Sequence, residues 1–376
     1  MIQADADLLL IGGAFAAAAF ISLVLTPVVA RGLRSVGLID EPGGDRRVHL
    51  APTPRGAGLA VAAAFIVVSL VALVVAGGRS GLPGPPGLEE VPGLAALPAP
   101  ALAALIGGSA LAALFGLIDD RFDLRARWQL ALQVVLALLA LGAGVAIESI
   151  NNPVGTGTID FAPWFMAAFT VFWVVGMINS INWIDGLDGL STGVALIAAV
   201  TLGVISLTPA IDQPAVTLLC AALAGSLAGF LPWNFHPARV FPGTAGVFFI
   251  GYCLALLSIL GTAKVAVALL VLGVPIVDTF WIIVRRLMAG QAPFAADSGH
   301  LHHRLLGLGL SQRGAVLTIY AICLILAGLS LVLSGTGQLY AFLGVVVGGG
   351  LLLYLLTRRA REALERDSYD DGTSRS

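Results

Sequence analysis

The stretch NSINWIDGLDGLSTG, residues 179–193, sets Asp185 and Asp188 three residues apart, with Asn182 ahead of them and glycines between. Carboxylates inside an otherwise apolar chain are expensive and point to function. Two close carboxylates repel one another unless a proton or a cation sits beside them. Read as helix, positions 185 and 188 share a face, and Gly186 and Gly189 leave room for a bulky anion with its counterion. A simple cap on the next helix would need a single Asp and no upstream Asn182.

A second acidic cluster lies in GLIDDRFDLRARWQ, residues 116–129. Asp119 and Asp120 end an apolar run, and Asp123 falls on the face of Asp119 at i, i+4 if the helix continues. Hard oxygen ligands of this kind suit Mg2+, which binds one or two carboxylates together with substrate phosphates and keeps several waters. The alternative is a solvated loop in which Arg121, Arg125 and Arg127 neutralise the acids.

Cations for an anionic substrate occur in two further loops. DSGHLHHRLLGLGLSQRGA, residues 297–315, gathers His300, His302, His303 and Arg304. It has no cysteine or acidic pattern for zinc, and a guanidinium fork with imidazole donors suits phosphate. DRRVHLAPTPRGAG, residues 45–58, supplies Arg46, Arg47, His49 and Arg55, which serve equally as phosphate ligands or as topology-setting charges. In VPIVDTFWIIVRR, Asp278 is read as a structural partner, about two turns from Arg285. Carboxylates, cations and a membrane to hold a lipid are the parts of phosphoryl transfer, whose catalysis is mostly positioning and charge neutralisation.

The elements that must position these groups are helices in a bilayer. The 376 residues are 58% hydrophobic and only 11% charged, with mean hydropathy +0.96, which excludes a soluble globular protein. Eleven apolar spans are expected, at about 7–30, 56–77, 99–118, 127–147, 162–181, 188–209, 213–231, 244–260, 263–284, 313–334 and 338–357. The first carries Asp5 and Asp7 where a signal peptide would be basic, so it is read as a retained helix. The expected fold is all-α: a polytopic membrane bundle over residues 1–357, followed by a charged, partly disordered tail at 358–376. Small residues such as AGSLAG at 224–229 favour one closely packed bundle.

Alternate loops at 31–55, 119–127, 232–243 and 285–312, with Arg313 at the edge and the tail after 357, hold 18 of the 20 basic residues. Only Arg79 and Lys264 lie on the other side. That asymmetry places the N-terminus outside and the C-terminus in the cytoplasm. All five histidines and the acidic clusters fall on the cytoplasmic side, while residues 78–98 on the other side are a Gly/Pro-rich connector. Chemistry at one face argues against a conduction path, as does the lack of broken-helix repeats. Cys220, Cys253 and Cys323 each sit in an apolar run and read as packing residues.

At these residues the sequence resembles the polyprenyl-phosphate N-acetylhexosamine-1-phosphate transferases. RRVHLAPTPRGAG, GLIDDRFD, NSINWIDGLDGL, NFHPARVF, VPIVDT and HLHHRLLGLGLSQR occur in that family's order over nearly the whole chain. The related translocase of phospho-muramoyl-pentapeptide shares the fold, but the H-L-H-H-R loop is similar to the hexosamine branch. The resemblance implies transfer from a UDP-N-acetylhexosamine to undecaprenyl or another polyprenyl phosphate, with release of UMP. It implies Mg2+, with Mn2+ as a substitute, at Asp119 and Asp120, and a catalytic motif of Asn182, Asp185 and Asp188. His300, His302, His303 and Arg304 would bind the nucleotide sugar. The partners implied are the two substrates and the bilayer of a bacterial inner membrane, with the active face cytoplasmic; a homodimer is allowed and no nucleic acid is expected. One position departs. After NFHPARVF the family reads M-G-D-x-G-S, its Asp a metal ligand, where this chain reads PGTAGVFF with Thr244 and Val247. A hydroxyl cannot supply the missing charge. The departure favours an alternative, a catalytically impaired relative that binds lipid phosphate or nucleotide sugar as a scaffold or regulator.

Overall fold

The computed structural model describes residues 2–41, 52–77, 97–152, 157–209, 211–261, 265–288, 290, 300–333 and 336–351. Thirteen helices account for most of them: α1 Ile2–Ser35, α2 Leu59–Gly77, α3 Ala99–Phe122, α4 Ala126–Gly142, α5 Pro163–Ile184, α6 Leu190–Ser206, α7 Pro214–Asn234, α8 Gly243–Leu260, α9 Val265–Val271, α10 Gly273–Met288, α11 Leu301–Gly307, α12 Gln312–Val332 and α13 Thr336–Leu351. Two short antiparallel hairpins interrupt them, β1 Ile39–Asp40 with β2 Thr53–Pro54 and β3 Ser149–Asn151 with β4 Thr158–Asp160. The chain is nearly all α, as composition and periodicity imply.

Among the described residues, six helices are long and apolar enough to cross a membrane: α1 from Leu8, α3, α5, α7, α8 and α12. Apolar helices at Leu59–Ala72, Ala126–Gly142, Leu190–Ser206 and Thr336–Leu351 are shorter. The expected span at 263–284 is not one helix. It is divided at Leu272 into α9 and α10. Pro275 gives the reason: it has no N–H to donate to the carbonyl of Val271, and its ring crowds that carbonyl. A hydropathy window reads straight across such a break, because the apolar run continues through it.

The bundle is built around α8 and α7, whose apolar windows are 89% and 78% buried against 17% for α1. Such all-round burial explains why these helices have no polar face. α8 packs on α3 and α5, and α7 on α1 and α6. Small residues set the closest approaches. A Cβ placed on Gly225 or Gly229 would come within 2.2 or 2.1 Å of the Phe15 or Ala19 carbonyl oxygen of α1. The AGSLAG segment therefore does pack a neighbouring helix at backbone distance. Around the outside, Phe20, Leu138, Phe172 and Ile325 are exposed, the apolar girdle that a lipid environment covers. The three cysteines are buried and none is in a disulfide, in keeping with packing roles.

The segment between β2 and α2 is stitched to the start of α8. Phe241 N donates to Pro54 O (2.9 Å), Ala57 N to Phe241 O (3.0 Å) and Gly58 N to Pro242 O (3.1 Å). These bonds hold Arg55 against the first turn of α8, although the two are far apart in sequence.

Candidate functional site

Asp119 and Asp120 lie in the last turn of α3, facing the first turn of α8. Asp120 Oδ1 accepts from Thr244 N (2.9 Å) and Oδ2 from Ala245 N (3.0 Å), so its carboxylate satisfies two of the orphan N–H groups that open α8. Oδ1 also pairs with Arg55 Nε at 2.7 Å. Asp119 Oδ2 accepts from the Thr244 hydroxyl (2.7 Å), and its Oδ1 from Leu124 N (3.1 Å) and Gln129 Nε2 (2.8 Å). The Asp120 side chain has no exposure and Asp119 has 2%. Asp123 does not continue the helix as the i, i+4 reading supposed. It ends α3 with a left-handed φ of 48°, a conformation that short polar side chains tolerate best after glycine, and so leaves the face of Asp119.

Asp185 and Asp188 do not share a helical face either. α5 stops at Ile184 and α6 begins at Leu190, so both carboxylates sit in the connecting turn. Gly189, at φ +80°, makes that turn possible. Neither Asp caps α6, which has no side-chain cap. Asp185 Oδ1 accepts from the Ser191 hydroxyl at 2.5 Å. Asp188 Oδ2 accepts from His236 Nδ1 (2.7 Å) and Ala238 N (3.0 Å), both in the loop between α7 and α8. Asn182 is half-buried on the last turn of α5, its carbonyl accepting from Asp185 N.

Desolvation pushes the Asp185 carboxyl up to about 7, with the Ser191 hydrogen bond and the Arg55 charge acting against it. The charges of Asp120 and Asp188 push in the same direction as burial. The loop between α7 and α8 that holds Asp188 runs directly into the α8 turn that holds Asp119 and Asp120, so the two acidic pairs and Arg55 lie at the same end of the bundle.

The histidine loop is only partly open. His300 Nδ1 pairs with Asp278 Oδ2 at 2.8 Å, and Leu301 N donates to Asp278 Oδ1 at 2.8 Å. Asp278 thus holds α11, a structural role of the kind expected of it, with His300 and Leu301 N as its partners. His300 precedes the helix as its N-cap, so it does not share a helical face with His303. His302 is 2% exposed and its Nε2 has no hydrogen-bond partner among the described residues. Its imidazole is held well below the usual range, first by burial and then by the neighbouring charges of His303 and His300. A Cβ on Gly186 would fall 2.2 Å from that Nε2. The space expected for an anion at Gly186 is therefore filled by His302, and that at Gly189 by Phe235 and Tyr320. His303 and Arg304 are half-buried on α11. His49 lies outside the described residues.

The structure therefore brings Arg55, Asp119, Asp120, Asp185 and Asp188 to one end of the bundle, with His302 pressed on the aspartate turn. Sequence reasoning gave no role to His236, Ser191 or Gln129, nor to the Asp278–His300 pair. The phrase NFHPARVF carried the signal for His236, a titratable ring in a proline-stiffened loop beside an acidic turn.

Among the described residues no group of three or more His, Cys, Asp or Glu side chains is arranged to hold a metal ion. A carboxylate has about four acceptor positions; protein hydrogen bonds take three on Asp119 and two on Asp120, whose Oδ1 is also in ion-pair contact with the Arg55 guanidinium. The pair does not fit a hydrated Mg2+.

A helical bundle with an apolar girdle and acids, a guanidinium and imidazoles at one end defines a membrane protein equipped for polar group chemistry. Residues 102–262 match the family described as Glycosyl transferase family 4. The chain is 33% identical over 306 residues to the probable undecaprenyl-phosphate N-acetylglucosaminyl 1-phosphate transferase of Bacillus subtilis (strain 168), covering 80% of this chain and 78% of that protein. It is 32% identical to the decaprenyl-phosphate N-acetylglucosaminephosphotransferase of Mycobacterium tuberculosis, covering 93% and 90%. It is 30% identical to the phospho-N-acetylmuramoyl-pentapeptide-transferase of Desulforudis audaxviator, covering 84% and 96%. The chain belongs to glycosyl transferase family 4, among the polyprenyl-phosphate N-acetylglucosamine-1-phosphate transferases, and is a multi-pass membrane protein.

Proposed function

We infer that the protein transfers N-acetylhexosamine-1-phosphate, with N-acetylglucosamine the first sugar to try, from a UDP-sugar to a polyprenyl phosphate and releases UMP. The active end faces the cytoplasm of a bacterial inner membrane, a reading that the distribution of Arg and Lys supports. In the reaction an oxygen of the lipid phosphate bonds to the sugar-side phosphorus, and the bond from that phosphorus to the UMP oxygen breaks, UMP leaving with the electron pair. The observation that carries this reading is the convergence of Asp185, Asp188, Asp120 and Arg55 at one end of an apolar bundle. Asp185 can take the proton of a monoprotonated lipid phosphate, since a group poised near neutral pH is an efficient acceptor. Asp188, fixed by His236 and Ala238, shapes the turn, and Arg55 faces the developing charge.

The test is transfer of labelled sugar phosphate from UDP-N-acetylglucosamine to undecaprenyl phosphate by the purified protein, read as lipid-linked product and UMP, with Mg2+ and with a chelator. Product with matching UMP supports the reading. Nucleotide-sugar or lipid-phosphate binding without turnover supports instead the impaired relative that Thr244 suggests.

Three further outcomes are expected. The acid limb of the transfer rate lies near pH 7, because Asp185 must be ionised to accept a proton. Stability moves the other way. Between pH 3.8 and about 7 the folded chain keeps a proton that the unfolded chain has released, so the stabilising preference for the neutral group is complete below 3.8 and is lost as pH rises to about 7. Thermal midpoints of wild type and Asp185→Asn across that range check the sign; parallel curves would discount it. Gly186→Ala pushes His302 out of the aspartate turn and slows transfer about tenfold with helix content unchanged, since small misplacements of reacting groups are costly. An unchanged rate would mean that this contact does not shape the site.

A further inference from the structure

The family pattern puts a cation between acids where this chain has Thr244, and the neighbourhood of Thr244 shows what replaces it. An ionised Asp at position 244 could only accept hydrogen bonds, so three carboxylates would converge and require a cation. A threonine hydroxyl does both jobs. It donates to Asp119 Oδ2 at 2.7 Å and accepts from an Arg55 terminal nitrogen at 3.3 Å. The backbone of the same residue donates to Asp120. The acids, the hydroxyl and the guanidinium thus form a closed circuit with one positive charge already in it.

The space is closed as well. A Cβ on Gly243 would lie 2.6 Å from Asp120 Oδ2 and 2.4 Å from Gly56 N, and one on Gly56 would lie 3.2 Å from the same carboxylate oxygen. Backbone therefore packs directly against the Asp120 carboxylate, and the Thr244 hydroxyl closes the side towards Asp119. Arg55, by contrast, remains 36% exposed along its side chain. One terminal N–H donates to Thr244 and Nε is in ion-pair contact with Asp120, while the remaining terminal N–H groups have no partner among the described residues.

We propose that Asp119, Asp120 and Thr244 form a clasp on the start of α8 that admits no divalent cation, and that the Arg55 guanidinium held by this clasp is the phosphate-binding cation in its place. Its ligand class is a phosphate or diphosphate oxyanion, which a fixed guanidinium fork binds through paired hydrogen bonds. The inference rests on the reading of this end of the bundle as a phosphoryl-transfer centre.

The experiment uses the purified full-length protein and two probes. Mn2+ binding is followed by electron paramagnetic resonance in wild type, Asp119→Asn and Thr244→Asp. Inorganic pyrophosphate binding is followed by calorimetry in a chelator, in wild type, Arg55→Lys and Arg55→Gln, with helix content checked for each. The wild type is expected to show no Mn2+ site that Asp119→Asn removes, while Thr244→Asp gains one per chain. Pyrophosphate is expected to bind wild type without metal, and to bind Arg55→Gln at least tenfold more weakly. Arg55→Lys, which keeps the charge beside Asp120 but not the fork, is expected to fall between them and serves if Arg55→Gln does not fold. A wild-type Mn2+ site lost in Asp119→Asn overturns the proposal. So does pyrophosphate binding that ignores both Arg55 variants. UMP release separates the two readings. Release together with an Asp119-dependent Mn2+ site removes the clasp and keeps the transferase, whereas the expected binding with no release from any UDP-sugar keeps the clasp and removes the transferase.

Discussion

His236→Ala is expected to slow sugar-phosphate transfer about 100-fold, whereas His236→Asn stays within about tenfold of wild type. Asp188 is 8% exposed, and its Oδ2 depends on His236 Nδ1 at 2.7 Å and Ala238 N at 3.0 Å. Removing the ring takes away a charge-assisted bond and leaves a buried carboxylate oxygen with one donor, a loss of about 1–3 kcal/mol. The carboxylate then turns towards other donors, and the turn that carries Asp185 turns with it. An asparagine amide can donate from nearly the place of Nδ1, so it restores the orientation while lacking the Nε2 edge. The comparison separates two roles. If both variants are equally slow, the exposed edge of the ring matters and not its bond to Asp188. If Ala at 236 leaves the rate unchanged, Asp188 needs no such anchor. Circular dichroism in detergent shows whether each variant is folded.

That pair also shows where sequence reading stops. The order of motifs, the apolar spans and the gathering of acids and histidines at one face can be read directly, because hydropathy and charge are local properties. Partners are not local. Asp188 finds His236 48 residues away, Asp120 finds the backbone of Thr244 124 residues away, and Asp278 finds His300 at the start of α11. Helical-face reasoning reaches only three or four residues along the chain. It therefore paired Asp119 with Asp123 and Asp185 with Asp188, where the structure has a left-handed cap and a turn. Gly186 and Gly189 were legible as places needing room, but not as room taken by His302, Phe235 and Tyr320. The break at Leu272 had a visible cause in Pro275, which the length of the surrounding apolar run outweighed. Thr244 was visible as a departure. Only the geometry showed that its hydroxyl completes a circuit.

Gly116→Ala is expected to cost about 3 kcal/mol of stability and to disable the site with it. On α3, Gly116 meets the first turn of α8 so closely that a Cβ would lie 2.2 Å from the Thr244 carbonyl oxygen and 2.5 Å from Ala245 Cα. Those atoms are backbone in the most buried helix of the bundle, so no side chain can swing aside. The two helices must part, and they part where Asp119 and Asp120 grip Thr244 and Ala245. Loss of packing and loss of those hydrogen bonds then come together, since each depends on the same separation. Gly107→Ala, two turns or more along the same helix, has nothing within 4 Å of the added carbon. It is expected to be neutral or slightly stabilising, because alanine is the better helix former by about 1 kcal/mol. Unfolding of the two variants in a detergent titration compares them directly. Equal stability would mean that the α3–α8 approach is looser than these distances, and a destabilised Gly116→Ala that still transfers sugar phosphate at the wild-type rate would uncouple the clasp from the reaction.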